Sequence, residues 1–459
     1  MRFEKPLFAF YILLFLVTAL TLVFFQPHFD TPPLFANPPD EHGKYLVPRY
    51  ISEHGRLPTG FEEEIRLHGY GFSYAFYNVL PYIVQGYFMR FVSLFTESEL
   101  SLLYAGRFIN VLSGIFMAII IYQLSQKLFK RQQFRWLFCF LVVFLPQSLF
   151  IHTYVNTDSM ALLATAMIVY AWVGIYKEGY NRINILYLSG GIIICSLSYY
   201  NAYGFILSSI LLFFSSFCEK NGDDFNYDWK KMLKLGSIIS VIVLLGIGWW
   251  FIRSYILYDG DIIGFRTRDE MATLYGHPDY MNTYHEKDYT VFMMLANNDF
   301  FHKTFKSFIA GFGSLSIYAN IWMYRLYLTF LAVCGLSFFF IRKRSDFSKP
   351  SRWDTYTFKW QLLFFHTNMI FCMALPLFLL IYYSYSTDYQ AQGRYLLPGL
   401  VPLMYYVTAG FEKIVNHKWF PTRWQNISVI LVCLFIISCL LWIVYRVSLP
   451  VYLEIGGVF

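Results

Sequence analysis

Two adjacent carboxylates and an imidazole crowd one turn of chain in Asn37-Pro38-Pro39-Asp40-Glu41-His42. Like charges held near a low-dielectric surface raise a carboxyl pKa and equip it to take a proton from an alcohol, the work of a general base. After a Pro-Pro turn, Asp40 equally fits the N-cap of the helix that follows. A second polar group, Asn156-Thr157-Asp158-Ser159, comes after Pro146-Gln147-Ser148 and His152, and Asp158 also suits either a cap or a site. Set together, the two aspartates have the oxygen ligands to share a divalent cation, although the pattern requires no cofactor and assigns no metal ligand. The third group is Tyr389-Gln390-Ala391-Gln392-Gly393-Arg394-Tyr395. A guanidinium there stays charged and forks onto phosphate oxygens, with Gln392 and Tyr395 beside it and Gly393 letting backbone approach a bulky ligand. An arginine snorkelling to lipid headgroups is the alternative. Arg107 and Arg253 are further candidates for an anion contact, Arg253 doubling as an interfacial anchor.

These groups have to be positioned by membrane helices. The 459 residues are 57% hydrophobic, 21% aromatic and only 14% charged, which excludes a water-soluble domain, disorder and a disulfide scaffold. Lys and Arg are scattered over short loops with no reader motif, so the net charge of +7 does not indicate nucleic acid. The seven cysteines sit in or beside apolar stretches without CxxC spacing and read as buried hydrophobes. Eleven stretches suit membrane spans: 7–26, 105–126, 136–153, 158–176, 183–200, 203–218, 235–256, 318–341, 361–383, 393–411 and 426–448. With the amino terminus inside, the six inner segments hold 21 Lys and Arg and the two much longer outer stretches, 28–106 and 253–306, hold 11, as the positive-inside rule demands. The expected fold class is therefore all-α: one polytopic integral membrane domain over 1–459, with two long extracytoplasmic loops at 28–106 and 257–317 carrying short interfacial helices. The carboxyl terminus would lie outside the plasma membrane.

Loops of that length usually carry function. In the first, a helix is expected from Glu41 to His54, stopped by Gly55 and Pro58 and kinked or split at Pro48. An aromatic piece from Tyr70 to Phe95 should lie along the interface. His277 and His285 in the second loop lack zinc-ligand spacing. Nucleotide-binding loops are absent, and so are charged residues through the span interiors.

An inside amino terminus, one span and then Asp40-Glu41 at the head of a long outer loop resembles the GT-C superfamily of polytopic glycosyltransferases, among them protein O-mannosyltransferases and lipid A aminoarabinose transferases. A closer similarity is to a bacterial family of predicted polytopic membrane proteins. It rests on Pro38-Pro39-Asp40-Glu41, Asn156-Thr157-Asp158, Trp250 to Tyr258, Ser307-Phe308 with Gly311-Phe312-Gly313, and Gln392-Gly393-Arg394-Tyr395-Leu396-Leu397-Pro398. The resemblance implies inverting sugar transfer from a polyprenyl-phosphate donor in the membrane lipid to an extracytoplasmic glycan or lipid. Asp40 would be the base, Glu41 and Asp158 its catalytic companions, and Arg394, Arg253 and Arg107 the donor-phosphate contacts, with His42, Gln392 and Tyr395 lining the cleft. Soluble domains of the O-mannosyltransferase kind are missing, so a protein acceptor is not implied. A flippase or transporter, or a polymerase or ligase of lipid-linked glycans, is the rival reading; a scaffold subunit would leave the three groups apart.

Overall fold

The computed structural model describes residues 4–28, 34–221, 224–277, 289–297, 299–341 and 355–456. His285, in the second outer loop, and most of the predicted inner segment 342–359 lie outside them. The described chain is almost wholly helical, as its composition requires. It opens with α1 (Glu4–Phe25) and then, on the predicted outer face, α2 (Glu41–His54) and α3 (Leu80–Ser93). Next come α4 (Glu99–Leu128), α5 (Gln132–Val143), α6 (Pro146–Phe150), α7 (Asp158–Glu178), α8 (Arg182–Ser196) and α9 (Tyr203–Ser215). A two-stranded ribbon, β1 (Cys218–Asn221) antiparallel to β2 (Asp224–Tyr227), leads to α10 (Trp229–Leu257). The second outer loop carries α11 (Phe265–Tyr275), α12 (Val291–Asn297), α13 (Phe300–Ala310) and a small hairpin, β3 (Gly311–Phe312) with β4 (Ile317–Tyr318). The chain closes with α14 (Ile321–Phe340), α15 (Thr355–Ser386), α16 (Leu400–Val415), α17 (Gln425–Leu441) and α18 (Leu449–Gly456).

All eleven predicted stretches fall on helices. By length and composition, seven helices among the described residues can cross a membrane: α1, α4, α7, α10, α14, residues 359–386 and the run 422–455. The other four stretches fold into shorter helices: Pro146 breaks 136–153, Pro398 sits in a 3-10 turn ahead of α16, and α8 and α9 are 15 and 13 residues long. Burial sorts the bundle. Within its apolar window α7 is 89% buried, against 11% for α10, so α7 is the central post and α10 a rim helix. The Leu and Ile side chains that α10 exposes, Leu233, Leu244, Leu245, Ile252 and Ile256, form the apolar surface a helix presents to lipid.

In the first outer loop α2 spans the predicted residues and ends on Gly55 at φ 67°, a left-handed closure that glycine adopts without strain. Pro48 does not split it; α2 runs through the proline as one element. The aromatic piece starts as a helix only at Leu80, where Pro81 occupies the first turn that tolerates a missing N–H. Its outward residues Tyr87, Phe91, Leu94 and Phe95 are exposed, as an interfacial segment requires.

Candidate active site

Glu41 fixes the site from below. Its carboxylate accepts from Arg107 Nε at 2.9 Å, Arg107 Nη2 at 2.6 Å and the Val155 amide at 2.8 Å. Arg107 turns its remaining donors to the carbonyls of Val23 and Gln26 through Nη1 (3.0 and 3.2 Å) and Pro27 through Nη2 (3.1 Å). All five guanidinium N–H groups are thereby engaged, and both side chains have 0% exposure. The expectation that Arg107 holds a donor phosphate is corrected here: no donor remains to offer. Glu41 is likewise a rivet joining α1, α2, α4 and the turn before α7, closed to any substrate.

Asp40, one residue earlier, faces the other way. It stands at the N-cap position of α2 with φ 60°, but its side chain makes no cap bond. Left-handed backbone at a residue with a Cβ is uncommon, tolerated by Asp, and concentrated at functional positions. The turn sends the carboxylate onto the Arg394 guanidinium, 354 positions away in sequence. Arg394 also donates to the Pro39 carbonyl at 3.3 Å and the Tyr395 hydroxyl at 3.2 Å, and lies over the Tyr395 ring. Arg394 is 1% exposed and Asp40 35%, so the cation is embedded while the carboxylate stays reachable. Asp40 was expected to titrate high through crowding with Glu41. Burial does push it up, but the Arg394 charge, then Lys44, outweighs that and holds it below the ordinary carboxylate value.

Asp158 begins α7, and Thr157 takes the cap position without a side-chain bond. Asn156 fastens this turn: its amide donates to the Ile151 and Tyr154 carbonyls at 2.7 and 2.8 Å and accepts from the Ser159 amide at 2.9 Å. Asp158 Oδ2 meets Lys44 Nζ at 3.5 Å, with both groups buried, and the Tyr199 phenol stands beside the carboxylate. Arg394 pairs with Asp40, and Lys44, one turn further along α2, pairs with Asp158, so the four charges form one cluster. Around it are Tyr154 and Tyr395 as well as Tyr74 and Tyr82, whose phenols burial holds protonated, the Asp40 charge adding to the effect for both and that of Asp158 for Tyr82. Arg394 Nε and Asp158 Oδ1 find no hydrogen-bond partner among the described residues, which leaves both able to meet a polar ligand, and Gln392 Oε1 is likewise unpartnered. His42 is exposed on α2, and Tyr395 donates to Gln390 Oε1.

The other quoted motifs are braces. A Cβ on Gly393 would lie 2.1 Å from the Phe308 amide nitrogen and 2.3 Å from the Thr304 carbonyl, so this glycine admits α13, and not a ligand as its spacing suggested. Its amide donates to Ser307 Oγ at 2.7 Å. Gly313, at φ 59°, packs on the Phe35 carbonyl, which accepts from the amide and hydroxyl of Ser314, each at 2.9 Å. The bracket thereby holds the turn leading into Asp40. Arg253 donates to the Pro58 carbonyl at 2.7 Å and stacks on Trp250, while Tyr258 donates to the Thr59 carbonyl at 2.7 Å. Its described contacts clamp the first outer loop to the end of α10, and none reaches Asp40 or Arg394. Lys44 was missed from the sequence, yet it lies four residues after Asp40 on a predicted helix, the spacing that stacks side chains on one face.

Among the described residues one cluster has the close His and carboxylate atoms a metal ion needs: Glu53, His54 and Glu64, all exposed, at the opposite end of α2. A cation shared by Asp40 and Asp158 does not fit the donor set, since Arg394 already faces one carboxylate and Lys44 the other.

The arrangement of membrane helices and outer loops is similar in fold to solved membrane proteins. A crystal structure of the Archaeoglobus fulgidus oligosaccharyltransferase tethered to an acceptor peptide superposes with TM-score 0.52 at 11% identity, covering 98% of this chain and 56% of that one. The same enzyme in complex with Zn and sulfate gives 0.52 at 13% identity, covering 96% and 53%. The chain spans about half the length of that enzyme. ArnT from Cupriavidus metallidurans bound to undecaprenyl phosphate matches with TM-score 0.49 and 10% identity, over 97% of this chain and 74% of that one. A search of curated proteins gives no match. The chain belongs to the predicted membrane protein family DUF2142, whose profile matches residues 53–404 and so takes in Asp158 and Arg394 but starts beyond Asp40.

Proposed function

We propose that the protein is an inverting glycosyltransferase that moves a sugar from a polyprenyl-phosphate donor to a hydroxyl of an extracytoplasmic glycan or lipid, with the amino terminus in the cytoplasm. The observation that carries this reading is the meeting of a reachable Asp40 carboxylate and an embedded Arg394 guanidinium across 354 positions of sequence, in a fold like that of the archaeal oligosaccharyltransferase. Arg394 would hold the donor phosphate. Asp40 would take the acceptor's O–H proton as the acceptor oxygen bonds to the anomeric carbon. The bond from that carbon to the phosphate oxygen breaks, its electron pair leaves on the phosphate, and polyprenyl phosphate is released. Attack from the face opposite the leaving group inverts the anomeric carbon.

The Asp40–Arg394 pair suits that sequence. Before the donor binds, Arg394 depresses the basicity of Asp40. A phosphate arriving on Arg394 shares its positive field, so Asp40 becomes a stronger base as the donor seats. A fixed cation at the leaving oxygen then stabilises charge that grows in the transition state. Fold likeness indicates a kind of chemistry and leaves sugar and acceptor open.

The test is transfer by purified protein from labelled polyprenyl-phosphate sugars. Asp40→Asn should insert and fold normally and lose roughly 10²- to 10⁴-fold in rate. Wild-type turnover in that variant removes Asp40 as the base. Movement of intact donor across vesicles without bond cleavage would make the protein a carrier instead.

A further inference from the structure

Lys44 has a place in the charged cluster that a mere partner for Asp158 does not need. It sits one turn beyond Asp40 on α2, is 7% exposed, and at 3.5 Å makes a long contact with Asp158. An ammonium has three N–H donors, and Asp158 is the only acceptor it meets among the described residues. Arg394 Nε is also buried without an acceptor. Both cations flank Asp40, Arg394 by pairing with its carboxylate and Lys44 by following it one turn along α2; burial, then the Arg394 charge, lowers Lys44 below the ordinary lysine value against the opposing pull of Asp158 and Asp40. Two like charges held together with unfilled donors form the arrangement that a tetrahedral anion completes.

The charges of the cluster also balance. Asp40 and Asp158 carry two negative charges, Lys44 and Arg394 two positive ones. A divalent cation entering here would sit beside two fixed cations with both carboxylates already matched.

Resting on the reading above, we infer that Lys44 is the second fixed cation of the donor-phosphate site, receiving the phosphate together with Arg394 and standing where a divalent cation would otherwise serve. Phosphate binding is then independent of metal. Lys44 is a binding residue in this scheme, and Asp158 positions it.

The experiment measures undecaprenyl phosphate binding to the purified full-length protein in detergent, with EDTA or with added Mg²⁺ or Mn²⁺. Wild type is expected to bind equally in all three conditions, and Lys44→Arg to keep most of the affinity. Because Lys44→Met alone leaves a buried carboxylate unmatched and invites misfolding, the decisive variant is the charge-balanced pair Lys44→Met with Asp158→Asn. It should unfold near the wild-type midpoint and bind roughly 10²-fold more weakly. Wild-type affinity in the pair would overturn the proposal and reduce Lys44 to a counter-charge for Asp158. Wild-type binding lost in EDTA and restored by Mg²⁺ or Mn²⁺ would overturn it as well, leaving the donor-phosphate reading intact. Wild type that binds no undecaprenyl phosphate under any condition sinks both, which separates that failure from the other two.

Discussion

Two neighbouring acids are assigned to different tasks, and Glu41→Gln separates them. The variant keeps the size of the side chain and removes its charge. Glu41 accepts three bonds, two from Arg107 and one from the Val155 amide. A glutamine has one oxygen, so at least one Arg107 donor comes to face an NH₂ group. Arg107 stays fully buried, and its carbonyl contacts carry no balancing charge. Breaking a buried pair in this way costs about 3–5 kcal/mol, a large part of the 5–15 kcal/mol by which folded domains are ordinarily stable. Tryptophan fluorescence during heating in detergent reads the loss as an unfolding midpoint lower by several degrees. Below that midpoint, sugar transfer should continue near the wild-type rate, since Glu41 is closed to substrate. An unchanged midpoint with transfer abolished would refute the division and place Glu41 in the chemistry.

Asp40→Asn should lower the midpoint less than Glu41→Gln does, because its side chain is 35% exposed, while abolishing transfer. The folded Asp40 binds a proton less readily than the unfolded residue, whose value is 3.8; its pairing therefore adds stability above that pH and loses it as pH falls through the lower folded value. The acid limb of kcat/KM should accordingly lie below pH 3.8 where it reports Asp40, and Arg394→Met should move it upward, as read from pH–rate profiles; an unmoved limb would detach Asp40 from Arg394. Gly393→Ala should destabilise the protein and weaken donor binding together, since its Cβ meets α13 backbone at 2.1 Å; a wild-type midpoint and affinity would deny that contact.

The helices were legible because apolar runs of membrane length leave little choice of fold. Their crossing lengths were less so: Pro146 and Pro398 shorten elements whose hydropathy alone reads as continuous. Of the candidate site, Asp40, Asp158 and Arg394 were readable from residue type and common sidedness, and the structure brings them together. Arg107 was misread because sequence shows a charge near an interface and not how many of its donors carbonyls and a carboxylate have taken, whereas the clamp that Arg253 makes on Pro58 agrees with its reading as an anchor. Gly393 was misread as well, its closeness being to helix backbone. Lys44 escaped because attention went to acids, although helical spacing had already set it on the face of Asp40.

Gly393 carries a mechanical consequence. With no side chain between them, the turn bearing Arg394 and α13 touch backbone to backbone and are pinned by the Ser307 hydroxyl. They must travel as one piece, and α13 is the closing helix of the large outer loop. Whatever presses on that loop from outside also shifts the Arg394 guanidinium, so the outer loop and the charge proposed to hold the donor phosphate are joined by a rigid lever about one helix long.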